Sequence, residues 1–189
     1  MKRSSGAYDL SGVTINKLLS DSVYSSPIVF LHAILSFQYV YGNLYTELEE
    51  YFKPPFDELI DAYINADYQD FSLYYRLPSN LTEFIQDSVW NNIRSDSIAC
   101  SHPFRKALLL NNTYNWVLET PVRIIYCEAD EAVPYENSVK AYNYMTLNGA
   151  RNIELKCISE MKKHDECMST AIQDAFDRLN ELQTKIPNE

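Results

Sequence analysis

Residues 120–134 read TPVRIIYCEADEAVP, and this stretch predicts the fold of the chain around it. Its apolar run extends from Val122 to Cys127, with Thr-Pro in front and an acidic loop behind. A short, nearly continuous apolar run is typical of a strand buried on both faces, as in a parallel sheet covered by helices. Asp130 follows at the C-terminal end of this strand, the edge at which ligands and catalytic groups collect in open α/β sheets.

The residues after Pro134 repeat the order of helix and strand. Pro134 is typical of the first turn of a helix, and residues 152–158 alternate apolar and polar side chains like a strand. A loop with His164 follows, and an amphipathic helix is expected from near Glu166. A strand–helix–strand unit of this length joins two neighbouring parallel strands by a right-handed crossover. We therefore expect Asp130 and His164 to lie at the same sheet edge, close enough to meet.

The region between the first residues and the central strand has a different pattern. Residues 4–12 are typical of a strand end followed by a turn, in which Asp9 is expected to cap or turn the chain. From Ser25 onward the apolar spacing predicts helices only. The expected helices cover residues 27–41, 45–52, 56–66, 79–93 and a stretch that begins at Pro103. We therefore divide the chain into a core strand segment (1–12), a helical insertion (13–103) and an α/β core with the acid and the histidine (104–189).

Composition narrows the class of protein. A chain of 189 residues with 46% hydrophobic and 22% charged residues is globular, and it forms one large domain or a domain with an insertion. A net charge of −10 argues against a nucleic-acid or anionic-membrane surface, since either needs a basic patch. The apolar run 28–35 is too short to cross a bilayer, and no apolar stretch follows Met1-Lys2-Arg3, so no signal peptide is expected.

The four cysteines leave the compartment open. They include no C-x-x-C pair and no Cys/His spacing suited to zinc, so we expect neither a metal site nor a cofactor. We favour four reduced thiols. The alternative is a Cys157–Cys167 bridge across the histidine loop, which would imply an oxidising location.

A family resemblance rests on the pattern D-x-x-V-P at Asp130, Val133 and Pro134, followed about thirty residues later by a strand and a loop histidine. This arrangement resembles the C-terminal half of an α/β-hydrolase. Four flanking segments add to the likeness, namely residues 6–11, 111–116, 135–138 and 149–150. Together they resemble the secretory-lipase and prolyl-oligopeptidase-like branch. The resemblance implies about three parallel strands flanked by helices, with the helical insertion as a cap or lid over the substrate.

The resemblance also implies that Asp130 is the acid and His164 the general base of a Ser–His–Asp catalytic triad. A carboxylate that accepts a hydrogen bond from an imidazole fixes its tautomer and stabilises the imidazolium that forms during catalysis. Other carboxylates close to these two in the sequence are Glu128, Glu131, Asp165 and Glu166. Of these, Glu128 and Glu131 are rivals for the role of the acid.

The nucleophile expected from the resemblance is missing from this sequence. It should precede the acid and the base on a strand-to-helix turn of the type G-x-S-x-G. The only glycines are Gly6, Gly12, Gly42 and Gly149, and no two of them flank a serine at that spacing. The glycine-rich oxyanion loop is absent as well. The chain therefore contains two of three triad residues.

The resulting expectation is a fragment or truncated form of a lipase- or esterase-like serine hydrolase, inactive alone, which acts on carboxylic esters through an acyl-enzyme. We favour the C-terminal piece of a longer hydrolase. Two alternatives stay open: a non-catalytic remnant that binds a ligand or partner, and a chain whose nucleophile half is supplied by a partner. A serine peptidase of the prolyl-oligopeptidase type is the runner-up enzyme class.

The expected partners follow from the same resemblance. The full-length parent would take a small-molecule ester or lipid as substrate, and no nucleic acid is expected. The strand near residues 4–7 would present an open edge, at which the isolated chain would self-associate or bind a partner chain. The resemblance suggests an extracytoplasmic or secreted protein.

Overall fold

The computed structural model describes residues 2–4, 6–66 and 72–183, and among these the side chains from residue 6 to residue 180. The chain divides into two compact units, Met1–Thr14 with Asn112–Glu189 and Ile15–Asn111. The expected divisions lay after residues 12 and 103. The second lies later because the helix that begins at Pro103 belongs to the helical unit.

The helical unit contains, in its described part, six α-helices and two 3-10 turns. The helices are α1 Ile15–Asp21, α2 Pro27–Tyr41, α3 Phe56–Asn65, α4 Ser72–Arg76, α5 Asp87–Ser95 and α6 Pro103–Leu110, and the turns are Leu48–Glu50 and Leu81–Glu83. Pro27 and Pro103 each stand in the first turn of a helix, where the missing N–H of proline costs nothing. Gly42 ends α2 in the left-handed conformation, at φ 64°.

Two expected helices of this unit are shorter than the sequence predicts, for a common reason. Residues 51–53 and 84–86 bind each other through the backbone: Lys53 N–H donates to Phe84 O (2.8 Å) and Gln86 N–H to Tyr51 O (2.9 Å). These bonds occupy backbone N–H and C=O groups that a longer helix would use for its own hydrogen bonds. The stretch 45–52 therefore forms only a 3-10 turn, and the stretch 79–93 forms a 3-10 turn followed by α5.

The α/β unit has, within the described residues, one parallel sheet with the strand order β1 Lys2–Ser4, β2 Val122–Cys127 and β3 Ile153–Ser159. A π-helical turn, Leu10–Thr14, follows β1. Helix α7, Glu136–Leu147, connects β2 to β3, and α8, His164–Gln183, follows β3. The expected α/β class with about three parallel strands flanked by helices is confirmed.

Strand β2 is buried on both faces, as its apolar run predicts. Val122 and Ile124 pack with Ala141 and Met145 of α7 in the apolar core of this unit. Alternate residues point to the opposite face, where Arg123 contacts Asp174 and Cys127 contacts Cys167, both on α8. The sheet is thus a layer between α7 and α8.

The cysteine prediction is wrong in both of its forms. Cys127 and Cys167 form a disulfide with a Cα–Cα distance of 5.9 Å, and Cys100 and Cys157 are free. The pleat of the sheet explains the pairing. Cys157 lies opposite Tyr126 in the register, so both occupy the face turned away from α8. Cys127, one residue further on, points toward the helix.

None of the helices within the described residues has the length and the apolar character needed to cross a membrane.

Candidate active site

The loop after β2 holds Asp130 in a fixed orientation. Its Oδ1 accepts hydrogen bonds from the backbone N–H groups of Ala132 (3.1 Å) and Val133 (2.8 Å). Short side-chain-to-backbone bonds of this kind are typical of an Asx-type turn. The carboxylate itself is fully buried. The backbone donors therefore aim the carboxylate, and they leave its two oxygens able to accept further bonds.

His164 lies against this carboxylate. Its Nδ1 is 3.0 Å from both Oδ1 and Oδ2 of Asp130. An ionised carboxylate only accepts hydrogen bonds, so Nδ1 carries the proton and Nε2 carries the free lone pair. The histidine side chain keeps a quarter of its surface exposed, whereas Asp130 has none. The two residues predicted from the sequence are thus in contact, in the arrangement of an acid that orients a general base.

The neighbouring carboxylates do not contact the histidine ring in this way. The Oε2 of Glu131 accepts instead from the backbone N–H of His164, at 3.2 Å. Glu128 is exposed in the loop, and Asp165 and Glu166 are exposed in the first turn of α8. Position in the D-x-x-V-P pattern therefore selects the carboxylate that meets the ring.

Helix α8 begins at His164, two residues earlier than the sequence predicts. The N–H of Cys167 donates to Lys163 O (2.8 Å), which closes the first turn around the histidine. The exposed side of this turn is supported by Glu131. His164 is therefore the first residue of a helix and not part of the preceding loop.

The disulfide brackets the pair. Cys127 precedes Asp130 by three residues, and Cys167 follows His164 by three residues. Both half-cystines are fully buried. The bridge joins the end of the strand that leads to Asp130 with the helix that begins at His164.

A polar network joins the turn after β1 to the start of α7. The carboxylate of Asp9 accepts from the N–H groups of Gly12 (3.1 Å) and Val13 (2.9 Å) and pairs with Lys140 Nζ at 2.6 Å. The N–H of Asp9 donates to Asn137 Oδ1 at 2.8 Å. Gly12 has to be glycine here, because a Cβ would lie 2.2 Å from the Asp9 carboxylate. The capping role expected for Asp9 is confirmed.

Three features of the site were not found from the sequence. They are the Glu131 bond to the His164 backbone, the Cys127–Cys167 bridge, and Asn137, which accepts from the Asp9 N–H. Asn137 also donates to Pro134 O (3.1 Å), so it ties the end of the acid loop to the chain start. Proximity to the D-x-x-V-P pattern is a sequence signal for Glu131, Asn137 and Cys127, but not for Cys167.

No group of three or more His, Cys, Asp or Glu side chains suited to a metal ion occurs in the described part of the chain. The arrangement offers an oriented imidazole with a buried carboxylate behind it. Such a pair can accept a proton from a hydroxyl or water and return it to a leaving group.

Neither a protein-family model nor a curated protein matches this sequence. Solved structures do match its fold. The rice cell wall degrading esterase LipA from Xanthomonas oryzae aligns with 98% of the chain at 20% identity and a TM-score of 0.70. A mutant form of the same esterase gives a TM-score of 0.76 at the same identity and coverage of this chain.

A third match comes from another organism. A protein of Legionella pneumophila that is provisionally described as a hydrolase aligns with 100% of the chain at 16% identity and a TM-score of 0.75. In each case the aligned part is 49–50% of the solved chain. This chain thus spans about half the length of the solved structures that it matches, and over that half it has their α/β fold.

Proposed function

We propose that this chain supplies the acid, Asp130, and the general base, His164, of a serine hydrolase that acts on carboxylic esters. The observation that supports this most is the contact of His164 Nδ1 with the buried Asp130 carboxylate at 3.0 Å. The two residues follow neighbouring parallel strands at their C-terminal ends, which is where catalytic groups of α/β sheets assemble.

The reaction follows from this geometry. Nε2 of His164 takes the proton of a serine hydroxyl while the serine oxygen attacks the ester carbonyl. The imidazolium then gives that proton to the departing alkoxide, which leaves as an alcohol, while the acyl group stays bound to the serine as an acyl-enzyme. A water molecule then attacks the acyl-enzyme while Nε2 takes its proton. The serine regains this proton as the carboxylic acid product is released. Asp130 keeps the proton on Nδ1 and stabilises the imidazolium in both halves.

The serine comes from outside this chain. No G-x-S-x-G sequence occurs here, and the oxyanion loop is missing as well. We infer that the chain is a fragment or truncated form of a longer lipase- or esterase-like hydrolase and is inactive alone. The helical unit of residues 15–111 would act as the cap that faces a small ester or lipid. The esterase among the similar structures favours ester chemistry.

A second candidate is a non-catalytic protein that binds a ligand or partner through the same half-fold. The missing nucleophile motif is the observation that favours it. In that case the acid–base pair would stabilise the fold without turnover. A peptidase of the prolyl-oligopeptidase type would use the same pair on an amide.

The test uses the protein that carries this chain, prepared from its natural gene, with p-nitrophenyl acetate and butyrate and a p-nitroanilide peptide. His164→Ala is expected to lower kcat by about 10²–10⁴-fold, the usual value of a general base. His102→Asn is the matched control, because His102 caps α6 and asparagine preserves a cap.

Each result separates the candidates. Ester turnover that is lost in His164→Ala and kept in His102→Asn supports the proposal. Faster cleavage of the anilide than of the esters would assign the protein to the peptidase class. Equal turnover in His164→Ala and the unaltered protein, or no turnover of any substrate, rejects catalysis by this pair and leaves the binding protein.

A further inference from the structure

The N-terminus of α8 creates a need for a hydrogen-bond acceptor beside the general base. The first N–H groups of a helix have no carbonyl four residues earlier to bind. His164 is the first residue of α8, so its own N–H is one of these groups. Glu131 Oε2 accepts this bond at 3.2 Å. A carboxylate at this end also meets the positive end of the helix dipole.

Consecutive residues of one loop thus bind His164 at two points. Asp130 holds the ring through Nδ1, and Glu131 holds the backbone nitrogen of the same residue. A ring that is bound only at Nδ1 can still move with its backbone. Binding at both points fixes the position from which the ring reaches Asp130.

The turn that aims the acid also fixes Glu131. Asp130 Oδ1 binds the N–H groups of Ala132 and Val133, and Glu131 lies between the two ends of the turn that these bonds close. The backbone of Glu131 is therefore set by the catalytic acid itself. One small loop aims both carboxylates at one histidine.

The disulfide does not replace this contact. It fixes Cys167, which is three residues into the helix from His164. The first turn of a helix frays from its end, so residues 164–166 can open while Cys167 stays in place. The Glu131 bond acts on the residue at which such opening would start.

We propose that Glu131 is a positioning residue, which caps α8 at His164 and so keeps the general base against Asp130. The effect of Glu131 on catalysis rests on the function proposed above. The effect of Glu131 on the contact of His164 with Asp130 does not, because this contact can be observed in the isolated chain without turnover.

The test is nuclear magnetic resonance of the full chain labelled with ¹⁵N. The Nδ1–H proton of a histidine bound to a carboxylate resonates at low field, and its exchange rate with water reports how often the contact opens. The backbone N–H of His164 gives a second exchange rate. The variants are Glu131→Ala, which removes the acceptor, and Glu131→Gln, which keeps a carbonyl oxygen at the same distance.

Glu128→Ala is the matched control, because it removes an exposed glutamate from the same loop. Glu131→Ala is expected to raise both exchange rates by about 2- to 30-fold, the effect of losing a helix cap. Glu131→Gln should restore most of the protection, and Glu128→Ala should leave both rates unchanged. A structural role limited to loop stability would not separate alanine from glutamine at the ring proton.

Asp130→Asn distinguishes failure of this inference from failure of the proposed function. If it alters the His164 ring signals and Glu131→Ala does not, the pair exists but Glu131 does not position it. If Asp130→Asn leaves the ring signals unchanged, the acid–base pair is not formed and the proposed function fails with it. Equal effects of Glu131→Ala and Glu128→Ala assign the change to charge and also overturn the capping role.

Discussion

The Cys127–Cys167 bridge closes a ring that contains both Asp130 and His164. The two cysteines are 40 residues apart in the sequence, and Asp130 and His164 each lie three residues inside the ring. Both half-cystines are fully buried beneath the site. The bridge therefore limits how far the acid loop and the start of α8 can separate, in the folded and the unfolded chain alike.

Replacing both cysteines by alanine is expected to destabilise the α/β unit by about 4 kcal/mol, because a ring of this length restricts the unfolded chain by that amount in the chain-entropy model. Urea unfolding measures the change. A Trp90→Phe background leaves Trp116 as the tryptophan reporter, and Trp116 belongs to the α/β unit.

The control for this prediction replaces the free cysteines, Cys100 and Cys157, by alanine. That variant keeps the bridge, so a reducing agent should lower its urea midpoint by the same amount as that of the unaltered chain. The double variant of Cys127 and Cys167 should not respond to reductant. Equal urea midpoints for the bridged and the bridge-free chain would contradict a stabilising bridge.

At the residue scale, the sequence was sufficient to bring Asp130 and His164 together, but not to find the residues that support their contact. Asp130 and His164 follow two neighbouring parallel strands, so chain order alone brings them to one edge. The partner of Cys127 depends on which face of the pleat each cysteine occupies. A register shift of one residue exchanges the faces, and the sequence does not specify a register between strands this far apart.

At the scale of elements, α8 is joined to the sheet by ion pairs on one face. Asp174 of α8 accepts from Arg123 (3.1 Å) and from Lys156 of the sheet, and within the sheet Glu154 accepts from Arg123 at 2.7 Å. The hydrogen bond from Arg123 holds the pKa of Glu154 below its usual value. Burial raises the pKa of Asp174, but its bonds to Lys156 and Arg123 outweigh burial and lower that pKa overall.

These shifts predict that α8 loosens from the sheet in acid. A carboxylate whose folded pKa is lowered binds protons more readily in the unfolded chain, so its contribution to stability is complete above the unfolded pKa, about 4. That contribution is lost as the pH falls from there through the folded pKa. Urea unfolding of the α/β unit, followed by Trp116 between pH 7 and pH 3, should show this loss.

Asp174→Asn isolates the effect, since it removes the charge and keeps the shape of the side chain. It should lower stability at pH 7 and flatten the acid dependence. Asp177→Asn is the control on the same helix, because Asp177 is exposed and bonded only to Gln173 among the contacts described. The same acid dependence in all three chains would show that the ion pairs contribute nothing.

The bounds of single elements were predictable wherever local chemistry sets them. Helices α2 and α6 begin at prolines, and α2 ends at a left-handed glycine. The stretches 45–52 and 79–93 were predicted less well, because backbone bonds between distant residues replaced helical ones there. Helix propensity is a local property, so it does not predict hydrogen bonds to residues that are distant in the sequence.

At the scale of the whole molecule, net charge and exposed apolar surface have opposite effects on self-association. The net charge of −10 keeps copies of the chain apart at low salt. Helix α8 nevertheless exposes large apolar side chains along one face, at Met168, Ile172, Phe176 and Leu179. Strand β1 lies at one end of the sheet, where a strand offers backbone groups to another chain. The exposure of this face could not be predicted from the sequence, because its spacing is also that of a buried helix.

We expect the isolated chain to self-associate through the exposed face of α8 and the neighbouring sheet edge. Salt should strengthen the association, because it screens the charge repulsion and leaves apolar contact intact. Ile172→Glu with Phe176→Glu should shift the chain toward monomer, whereas Leu147→Glu, at a still more exposed apolar position on α7, should not. Sedimentation velocity at low and high ionic strength measures this. A monodisperse monomer at both would contradict self-association, and association that survives the α8 substitutions would assign it to the β1 edge alone.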